Sequence, residues 1–392
     1  MDESLPKYDD IRTAANCLSG HIVHTPMLES EKLNRLAGCR VLIKAESLQR
    51  TGSFKIRGAF NCISQLDKPS RRRGIVAYSS GNHAQAVAAA AKALETPATI
   101  VMPTDAPATK INGTKYYGAN LKLIDRHQES REDIAHQIVK ETRATLVQPY
   151  ENFYVIAGQG TVGLEIADYC HQNKINPDFM IIPTGGGGLM AGCAIAIKEA
   201  NPNMSLFTAE PEYYNDYAES LKLGVRTEIN DANAFSLCDA LLAPRPGKKT
   251  FAINQPLVTG GVAATDRAVL RAMAIAFDYL KLVIEPGGAV ALAAILEGKG
   301  TLLPLIAAFD EIVSDDCPNK PNDKPFKALD PAFLNLSPND ASLSALNPLK
   351  PSNKAIPIAK GAATLPSTPF ANLPAPFSIP FPFGNFMPPN PP

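Results

Sequence analysis

Short apolar runs alternate with longer segments of helical period through the first 300 residues, and this alternation constrains the fold most. The runs are rich in β-branched residues and predict strands: VLIK (41–44), GIVAY (74–78), ATIVM (98–102), LKLI (121–124), TLVQ (145–148) and FMIIP (179–183). Helical patterns between them include HAQAVAAAAKALE (83–95), ESREDIAHQIVKET (129–142) and QGTVGLEIADYCHQ (159–172). The alternation predicts an α/β fold in which helices cover both faces of parallel sheets. Functional residues are expected in the loops that leave the carboxyl ends of the strands.

The charge balance argues against two classes of partner. The 392 residues include 38 Lys and Arg and 38 Asp and Glu, so neither nucleic acid nor a membrane surface is expected as a partner. No stretch approaches the roughly 20 apolar residues of a membrane span, and the acidic start MDESLPKYDD is not a secretory signal. The seven cysteines lack disulfide or metal-ligand spacing. These features predict a cytoplasmic protein with reduced thiols.

Proline is concentrated at the end of the chain. Of the 34 prolines, 19 lie in the last 92 residues, which hold only 2 of the 26 glycines. Segments such as LPAPFSIPFPFGNFMPPNPP cannot sustain helix or sheet hydrogen bonds. We therefore expect residues 300–392 to form a disordered tail. The abrupt change in composition suggests a shifted reading frame or an alternative terminal exon.

A lysine follows the first predicted strand, in a segment with helix-start residues. Thr51, Gly52 and Ser53 are loop and N-cap residue types, which places Lys55 in the first turn of the next helix. A solvated surface lysine is the simpler interpretation. A buried lysine with a depressed pKa, which could form a Schiff base with an aldehyde, is the alternative. The position alone leaves both open.

Two further loops carry residue types that suit anions. The segment SSGNH (79–83) follows GIVAY and opens an alanine-rich helix, so its hydroxyls and first-turn N–H groups suit a carboxylate. A plain capped helix with a hydrogen-bonded histidine is the alternative. The segment TGGGG (184–188) joins FMIIP to an apolar helix, where backbone N–H groups could surround a phosphate. A flexible linker rarely joins a buried strand directly to a buried helix, so a phosphate loop is favoured.

The segment Gly158–Gly163 matches the dinucleotide fingerprint GxGxxG, but its context does not fit. Residues 149–157 separate it from the preceding predicted strand, where the fingerprint needs a tight turn. The acidic residue about 20 positions on, Asp178, stands before the next strand instead of at its end. We interpret these glycines as the start of a helix that packs tightly on its neighbours.

Six segments together resemble the fold-type II pyridoxal-phosphate enzymes, in particular the threonine/serine dehydratase and serine racemase group that includes hydroxyaspartate dehydratases. They are ESLQRTGSFKIRGAF, SSGNHAQAVA, ATIVMPTDAPATK, AGQGTVGLEI, PTGGGGLMAG and EPGGAVALAAIL, within residues 8–299. The resemblance implies a tryptophan-synthase-β-like fold: two open twisted parallel-sheet domains with pyridoxal 5′-phosphate in the cleft between them. It implies a large domain of residues 1–73 and 149–299, a small domain of residues 74–148, and a homodimer.

The resemblance also implies roles for individual residues around the cofactor. Lys55 resembles the Schiff-base lysine and general base, Phe54 the residue that packs on the pyridine ring, and Asn82 the partner of the ring hydroxyl. The phosphate loop would consist of four residues: Gly185, Gly186, Gly187 and Gly188. The residues implied around the substrate carboxylate are Ser79, Ser80, Asn82, His83 and Arg131.

A metal site is implied as well. Glu210, Asp216 and the Tyr214 carbonyl resemble a structural divalent-cation site, and oxygen ligands of this kind suit Mg²⁺ or Ca²⁺. A solvated acidic turn is the alternative interpretation of the segment EPEYYND (210–216).

The implied activity is that of an ammonia-lyase that converts L-serine, L-threonine or a related 3-hydroxy amino acid to a 2-oxo acid and ammonia. Ser80 resembles the serine opposite the lysine in serine racemases, where many threonine dehydratases carry alanine, so racemisation is an alternative. The family's last strand and glycine-rich turn, which supply a Ser or Cys to the pyridine nitrogen, have no counterpart after Lys299. A catalytically impaired relative that binds the cofactor is therefore a third hypothesis.

Overall fold

The computed structural model describes residues 4–125, 128–229 and 234–298. The expected tail of residues 300–392 lies outside them. The helices of the described residues are α1 (Tyr8–Leu18), α2 (Glu31–Ala37), α3 (Lys55–Ser64), α4 (Lys68–Arg73), α5 (Asn82–Ala93), α6 (Ala108–Tyr116), α7 (Arg131–Thr142), α8 (Phe153–Gln172), α9 (Gly188–Ala200), α10 (Asp216–Leu223), α11 (Lys248–Leu257), α12 (Asp266–Ile275) and α13 (Pro286–Glu297). The strands are β1 (Met27–Glu29), β2 (Leu42–Lys44), β3 (Ile75–Tyr78), β4 (Ala98–Pro103), β5 (Asn120–Ile124), β6 (Thr145–Leu146), β7 (Phe179–Pro183), β8 (Ser205–Pro211) and β9 (Gly260–Ala264).

Two parallel sheets organise the described residues and confirm the predicted α/β class. One has the strand order β5-β4-β3-β6, and the other has the order β7-β8-β9. All their pairings are parallel. Helices α5 and α9 follow β3 and β7 almost directly, so the N-terminus of each lies at the carboxyl edge of its sheet, where open α/β folds bind ligands.

VLIK forms a strand as predicted, β2, but its pairing differs from the expected parallel arrangement, and three strands were missed. The run VLIK does not join a parallel sheet, because β2 pairs antiparallel with the unpredicted β1. Strands β8 and β9 were also not predicted. Strand β9 begins with two glycines, which favour turns rather than strands. A Cβ at Gly261 would lie 2.6 Å from the Ala218 Cβ, so the close approach of α10 requires glycine there.

The fingerprint-like glycines lie inside α8 and not at its start, so that part of the prediction was wrong. Helix α8 begins at Phe153, capped by the Asn152 side chain. The predicted tight packing is confirmed, because a Cβ at Gly158 would lie 2.7 Å from the Arg57 carbonyl oxygen. On the opposite side, a Cβ at Gly192 of α9 would lie 2.4 Å from the Gly160 nitrogen. The glycines thus let the backbones of α3, α8 and α9 touch.

Within the described ranges, no helix has both the length and the apolar character needed to cross a membrane. The six cysteines in those ranges are free thiols: Cys17, Cys39, Cys62, Cys170, Cys193 and Cys238.

Candidate active site

Lys55 is the first residue of α3, as predicted, and it is only partly exposed. The cap differs from the prediction: Phe54 occupies the N-cap position, while Ser53 lies outside the helix in extended conformation. The Lys55 ammonium donates to the Pro149 carbonyl oxygen at 3.3 Å and lies 5.2 Å from the centre of the Phe54 ring. Burial lowers the pKa of Lys55 to about 8, against a smaller opposing effect of the Glu285 carboxylate. The buried-lysine alternative is therefore the one that the geometry supports.

A buried ion network holds the first turns of α3. The Arg57 side chain is fully buried and donates to the Glu46 carboxylate at 2.7 and 2.9 Å. It also donates to the Glu165 carboxylate of α8 at 2.6 and 2.9 Å, and Lys44 of β2 donates to Glu165 at 2.5 Å. Burial alone would lower the pKa of Arg57, but the hydrogen bonds that it donates to the Glu46 and Glu165 carboxylates raise the pKa. The network fixes the helix that carries Lys55.

The four glycines turn tightly into α9. Gly187 is its N-cap, with φ +89°, in the left-handed region that favours glycine. A Cβ at Gly187 would lie 2.0 Å from the Tyr217 hydroxyl oxygen, and a Cβ at Gly186 would lie 2.3 Å from the Tyr150 ring. The Gly186 carbonyl oxygen accepts from the Thr250 hydroxyl at 2.6 Å. Since the first-turn N–H groups of a helix lack intrahelical acceptors, the loop offers donors to an anion at the positive end of α9.

Pro149 and Tyr150 connect the lysine to the glycine loop. The Pro149 carbonyl oxygen accepts from Lys55, while the next side chain, Tyr150, lies against Gly186 and Gly188. Burial is the largest cause that raises the pKa of Tyr150, so the phenol stays neutral. Neither residue could be predicted from the sequence, because an isolated Pro-Tyr pair is typical of any loop.

The predicted carboxylate loop lies at the end of β3, with Ser79, Ser80 and Asn82 all partly exposed. The Gly81 N–H donates to the Ser79 hydroxyl at 3.2 Å, and the Asn82 amide donates to the Glu285 carboxylate at 2.5 Å. Asn82 opens α5. The loop therefore combines hydroxyls, an amide and a helix N-terminus, which together suit a carboxylate.

His83 and Arg131 differ in burial. His83 is buried, and its Nε2 donates to the Val147 carbonyl oxygen at 2.9 Å, which leaves Nδ1 as an acceptor without a partner. Burial, reinforced by Lys55, lowers the pKa of His83 to about 3, so the ring is neutral. Arg131 is half-exposed at the start of α7, with its guanidinium 6.0 Å from the centre of the Tyr78 ring.

Three charged residues that sequence reasoning missed lie beside the loop. Glu285 is the N-cap residue of α13 and accepts from Asn82. Lys110 of α6 pairs with Asp239, which begins a short 3-10 helix. Lys110 ends the segment ATIVMPTDAPATK, and Glu285 begins the segment EPGGAVALAAIL. Both segments resemble the pyridoxal-phosphate enzymes, and this resemblance could have indicated that the two residues lie near the site.

The predicted metal ligands Glu210 and Asp216 are both buried. Glu210 accepts from the Tyr217 and Ala218 N–H groups at 2.8 Å each, whereas both Asp216 carboxylate oxygens lack a hydrogen-bond partner. Burial raises the pKa of Asp216 to about 8. Across the described part of the chain, no three His, Cys, Asp or Glu side chains cluster as metal ligands. A cation here would depend on two carboxylates and backbone oxygens such as that of Tyr214, and the orphaned Asp216 fits that role.

Comparison with known proteins decides the family. The family model described as "Pyridoxal-phosphate dependent enzyme" matches residues 18–305. The chain belongs to this family. It is 38% identical over 299 residues to an L-threo-3-hydroxyaspartate ammonia-lyase of Saccharomyces cerevisiae, covering 76% of this chain and 90% of the yeast protein. It is 39% identical to a serine racemase of Oryza sativa, covering 74% of this chain and 83% of the rice protein. The structure of maize serine racemase matches with a TM-score of 0.72 and 37% identity, covering 76% of this chain and 90% of that one.

The residues of this pyridoxal-phosphate-dependent enzyme fit the family's cofactor. A Cβ at Gly186, Gly187 or Gly188 would come within 3 Å of a neighbouring side chain, so the tight turn that exposes the loop's N–H groups to a phosphate needs glycine. The lowered pKa of Lys55 to about 8 leaves part of its amine neutral at physiological pH, as reaction with an aldehyde requires.

Proposed function

We propose that this enzyme is an ammonia-lyase that converts L-serine, L-threonine or a related 3-hydroxy amino acid to a 2-oxo acid and ammonia. The observation that carries the proposal is the juxtaposition of Lys55 and the glycine loop through Pro149 and Tyr150. Relatives named L-threo-3-hydroxyaspartate ammonia-lyase and L-threonine ammonia-lyase, each 38% identical, support this reaction class.

The proposed roles of the cofactor-binding residues follow from their contacts. The N–H groups of Gly185, Gly186, Gly187 and Gly188 would hold the cofactor phosphate, Phe54 would pack on its ring, and Asn82 would donate to the ring hydroxyl. Pyridoxal phosphate, when bound, supplies an aldehyde for amines and a ring that stabilises negative charge at the substrate Cα.

The proposed roles of the residues around the substrate are binding and proton transfer. The N-terminus of α5, the Ser79 hydroxyl and Arg131 would bind the substrate carboxylate. Neutral His83 would anchor the end of the loop through its hydrogen bond to the Val147 carbonyl oxygen. The Lys55 amine would remove the Cα proton, because a base with a pKa of about 8 is partly deprotonated near neutral pH.

Turnover of hydroxy amino acids by the cofactor-loaded protein tests the proposal. We expect pyruvate from L-serine or 2-oxobutyrate from L-threonine, together with visible absorbance of the lysine-bound cofactor. Lys55→Ala should lose both signals. Lys68→Ala is the matched control, because Lys68 is also the first residue of a helix but is exposed. A coloured wild-type protein that forms no 2-oxo acid from any hydroxy amino acid would instead support the catalytically impaired relative.

Serine racemisation is a second candidate, favoured by Ser80. Its hydroxyl is partly exposed in the carboxylate loop and would return a proton to the substrate Cα from the face opposite Lys55. The 39% identity to the rice serine racemase supports this alternative. Ser80→Ala should then abolish D-serine formation and retain pyruvate formation, measured by chiral chromatography on one reaction mixture. Equal loss of both products would contradict a separate role for Ser80.

Three further proposals concern a structural metal ion, the oligomeric state and the location in the cell. The orphaned Asp216 carboxylate supports a structural Mg²⁺ or Ca²⁺ ion bound with Glu210 and the Tyr214 carbonyl. The family resemblance supports a homodimer, which light scattering of the purified protein would test. The free thiols support a cytoplasmic location, which cell fractionation would test.

A further inference from the structure

Lys110 places a positive charge beside the carboxylate loop. It lies in the first turn of α6, which follows the carboxyl end of β4. A Cβ at Gly81 would lie 3.7 Å from the Lys110 ammonium nitrogen, and Gly81 is the central residue of the loop that begins at Ser79. The ammonium is therefore positioned next to the proposed carboxylate site, and the proposed function gives it no role.

Its partner Asp239 belongs to a turn that packs on the proposed phosphate loop. A Cβ at Gly185 would lie 3.1 Å from the Leu241 Cα, and a Cβ at Gly287 would lie 3.2 Å from the Ala240 Cβ. The 3-10 helix Asp239–Leu241 thus touches both the glycine loop and the start of α13. The Lys110–Asp239 pair consequently spans from the carboxylate loop to the phosphate loop, beside the proposed substrate position.

Glu285 ties this pair electrostatically to the catalytic lysine. Burial raises the pKa of Glu285, and the hydrogen bond from Asn82 opposes this effect. The Asp239 charge also raises this pKa, while the charges of Lys110 and Lys55 lower it. The Glu285 carboxylate interacts electrostatically with both ammonium groups and accepts a hydrogen bond from Asn82 at 2.5 Å. It therefore already has partners within the site. Among these neighbours, Asp239 is the group that holds Lys110 directly.

Because the Lys110–Asp239 pair is partly exposed, another carboxylate can replace Asp239 as the partner of Lys110. The Lys110 side chain is 22% exposed and that of Asp239 is 49% exposed. Ion pairs that water reaches contribute little to stability, so another carboxylate can replace Asp239 at small cost. A substrate with an uncharged side chain offers no such replacement, whereas one with a second carboxylate does.

We propose that Lys110 binds the second carboxylate of a dicarboxylic 3-hydroxy amino acid, such as 3-hydroxyaspartate, by exchanging Asp239 for the substrate. This proposal rests on the proposed ammonia-lyase function and specifies its substrate class. Lys110 would then favour dicarboxylic over neutral substrates, and Asp239 would act as the internal competitor for its charge.

Ligand binding to the cofactor-loaded enzyme tests the proposal without turnover. Succinate and butyrate share a four-carbon chain, but only succinate carries a second carboxylate, so calorimetry of both isolates its contribution. We expect wild-type enzyme to bind succinate more tightly by about tenfold, the effect of one charge-assisted hydrogen bond. Lys110→Met should remove this difference, and Asp239→Asn should strengthen succinate binding by about twofold to fivefold. Lys115→Met, an exposed lysine on the same helix, should change neither ligand.

Turnover provides the second arm. The ratio of kcat/KM for 3-hydroxyaspartate to that for L-serine should fall about tenfold in Lys110→Met and stay unchanged in Lys115→Met. A parallel loss of both substrates in Lys110→Met, or a succinate preference that survives this substitution, would overturn the assignment. If no hydroxy amino acid is turned over by wild-type enzyme, the proposed function fails, and the succinate comparison still decides whether Lys110 binds a second carboxylate.

Discussion

Replacing Lys55 with methionine should stabilise the cofactor-free protein at neutral pH. Burial lowers the pKa of Lys55 from 10.5 to about 8, so at pH 7 the folded protein must bury an ammonium group. Methionine has a similar length and no charge. The substitution therefore removes the free-energy cost of burying the Lys55 ammonium group.

The size and pH dependence of the effect follow from the pKa. At about 1.4 kcal/mol per pKa unit, the lowered pKa corresponds to about 3 kcal/mol below pH 8. Losing the 3.3 Å contact with Pro149 offsets about 1 kcal/mol, which leaves a net gain of about 2 kcal/mol at pH 7. Between about pH 8 and pH 10.5 the unfolded chain binds more protons than the folded one, so wild-type stability rises with pH. The advantage of methionine should shrink through that window.

Urea unfolding of the apoprotein, followed by circular dichroism at several pH values, measures this gain. Lys68→Met is the control, since Lys68 also begins a helix but is exposed, and we expect a change within about 0.5 kcal/mol. The reasoning is refuted if Lys55→Met leaves the free energy of unfolding unchanged at pH 7, or if its gain is the same at pH 7 and pH 10.

Three other perturbations probe the site. Gly187→Ala should weaken pyridoxal-phosphate binding and lower the free energy of unfolding by about 2–5 kcal/mol, because of overpacking and backbone strain. Gly118 has φ +82° and no neighbour within 4 Å, so urea unfolding of Gly118→Ala should show the strain alone. Arg57→Met should cost about 3–5 kcal/mol because Glu46 and Glu165 lose their partner, whereas exposed Arg72→Met in the same assay should cost little. Mg²⁺ or Ca²⁺ should raise the melting temperature of the wild-type protein but not that of Asp216→Asn. The control Glu219→Gln should respond like wild type, and an equal shift in all three proteins would reject the metal site.

Local sequence pattern predicted the parts of the fold and site that depend on neighbouring residues. The start of α3 at Lys55 and the glycine turn between β7 and α9 each follow from residues within one turn of the chain. The ends of β7 also matched the prediction, because FMIIP is a short apolar run that follows Asp178 and precedes Thr184 and four glycines. Such features need no knowledge of distant contacts.

The parts that could not be predicted depend on contacts between distant residues. Asn82 and Glu285 are 203 positions apart, and Lys110 and Asp239 are 129 apart, so no local pattern relates them. Strand β9 was missed for a similar reason: its glycine is required by α10, a neighbour in space but not in sequence. Likewise, the residues of VLIK do not predict whether its partner strand runs parallel or antiparallel to it.

The first turns of α3 show that a directly bonded carboxylate decides whether the effect of burial on the pKa of a cationic side chain is overcome. Lys55 and Arg57 are two residues apart, both oppose the dipole of the same helix, and burial lowers the pKa of each. Arg57 has two carboxylates within hydrogen-bond distance, and its pKa rises. Lys55 donates to a neutral carbonyl oxygen, and its pKa falls. A carboxylate paired directly with Lys55 would keep it charged and remove the neutral amine that the proposed reaction with the cofactor aldehyde needs. In the proposed role, the hydrogen bond from Asn82 to Glu285 would therefore help to keep the Lys55 amine reactive.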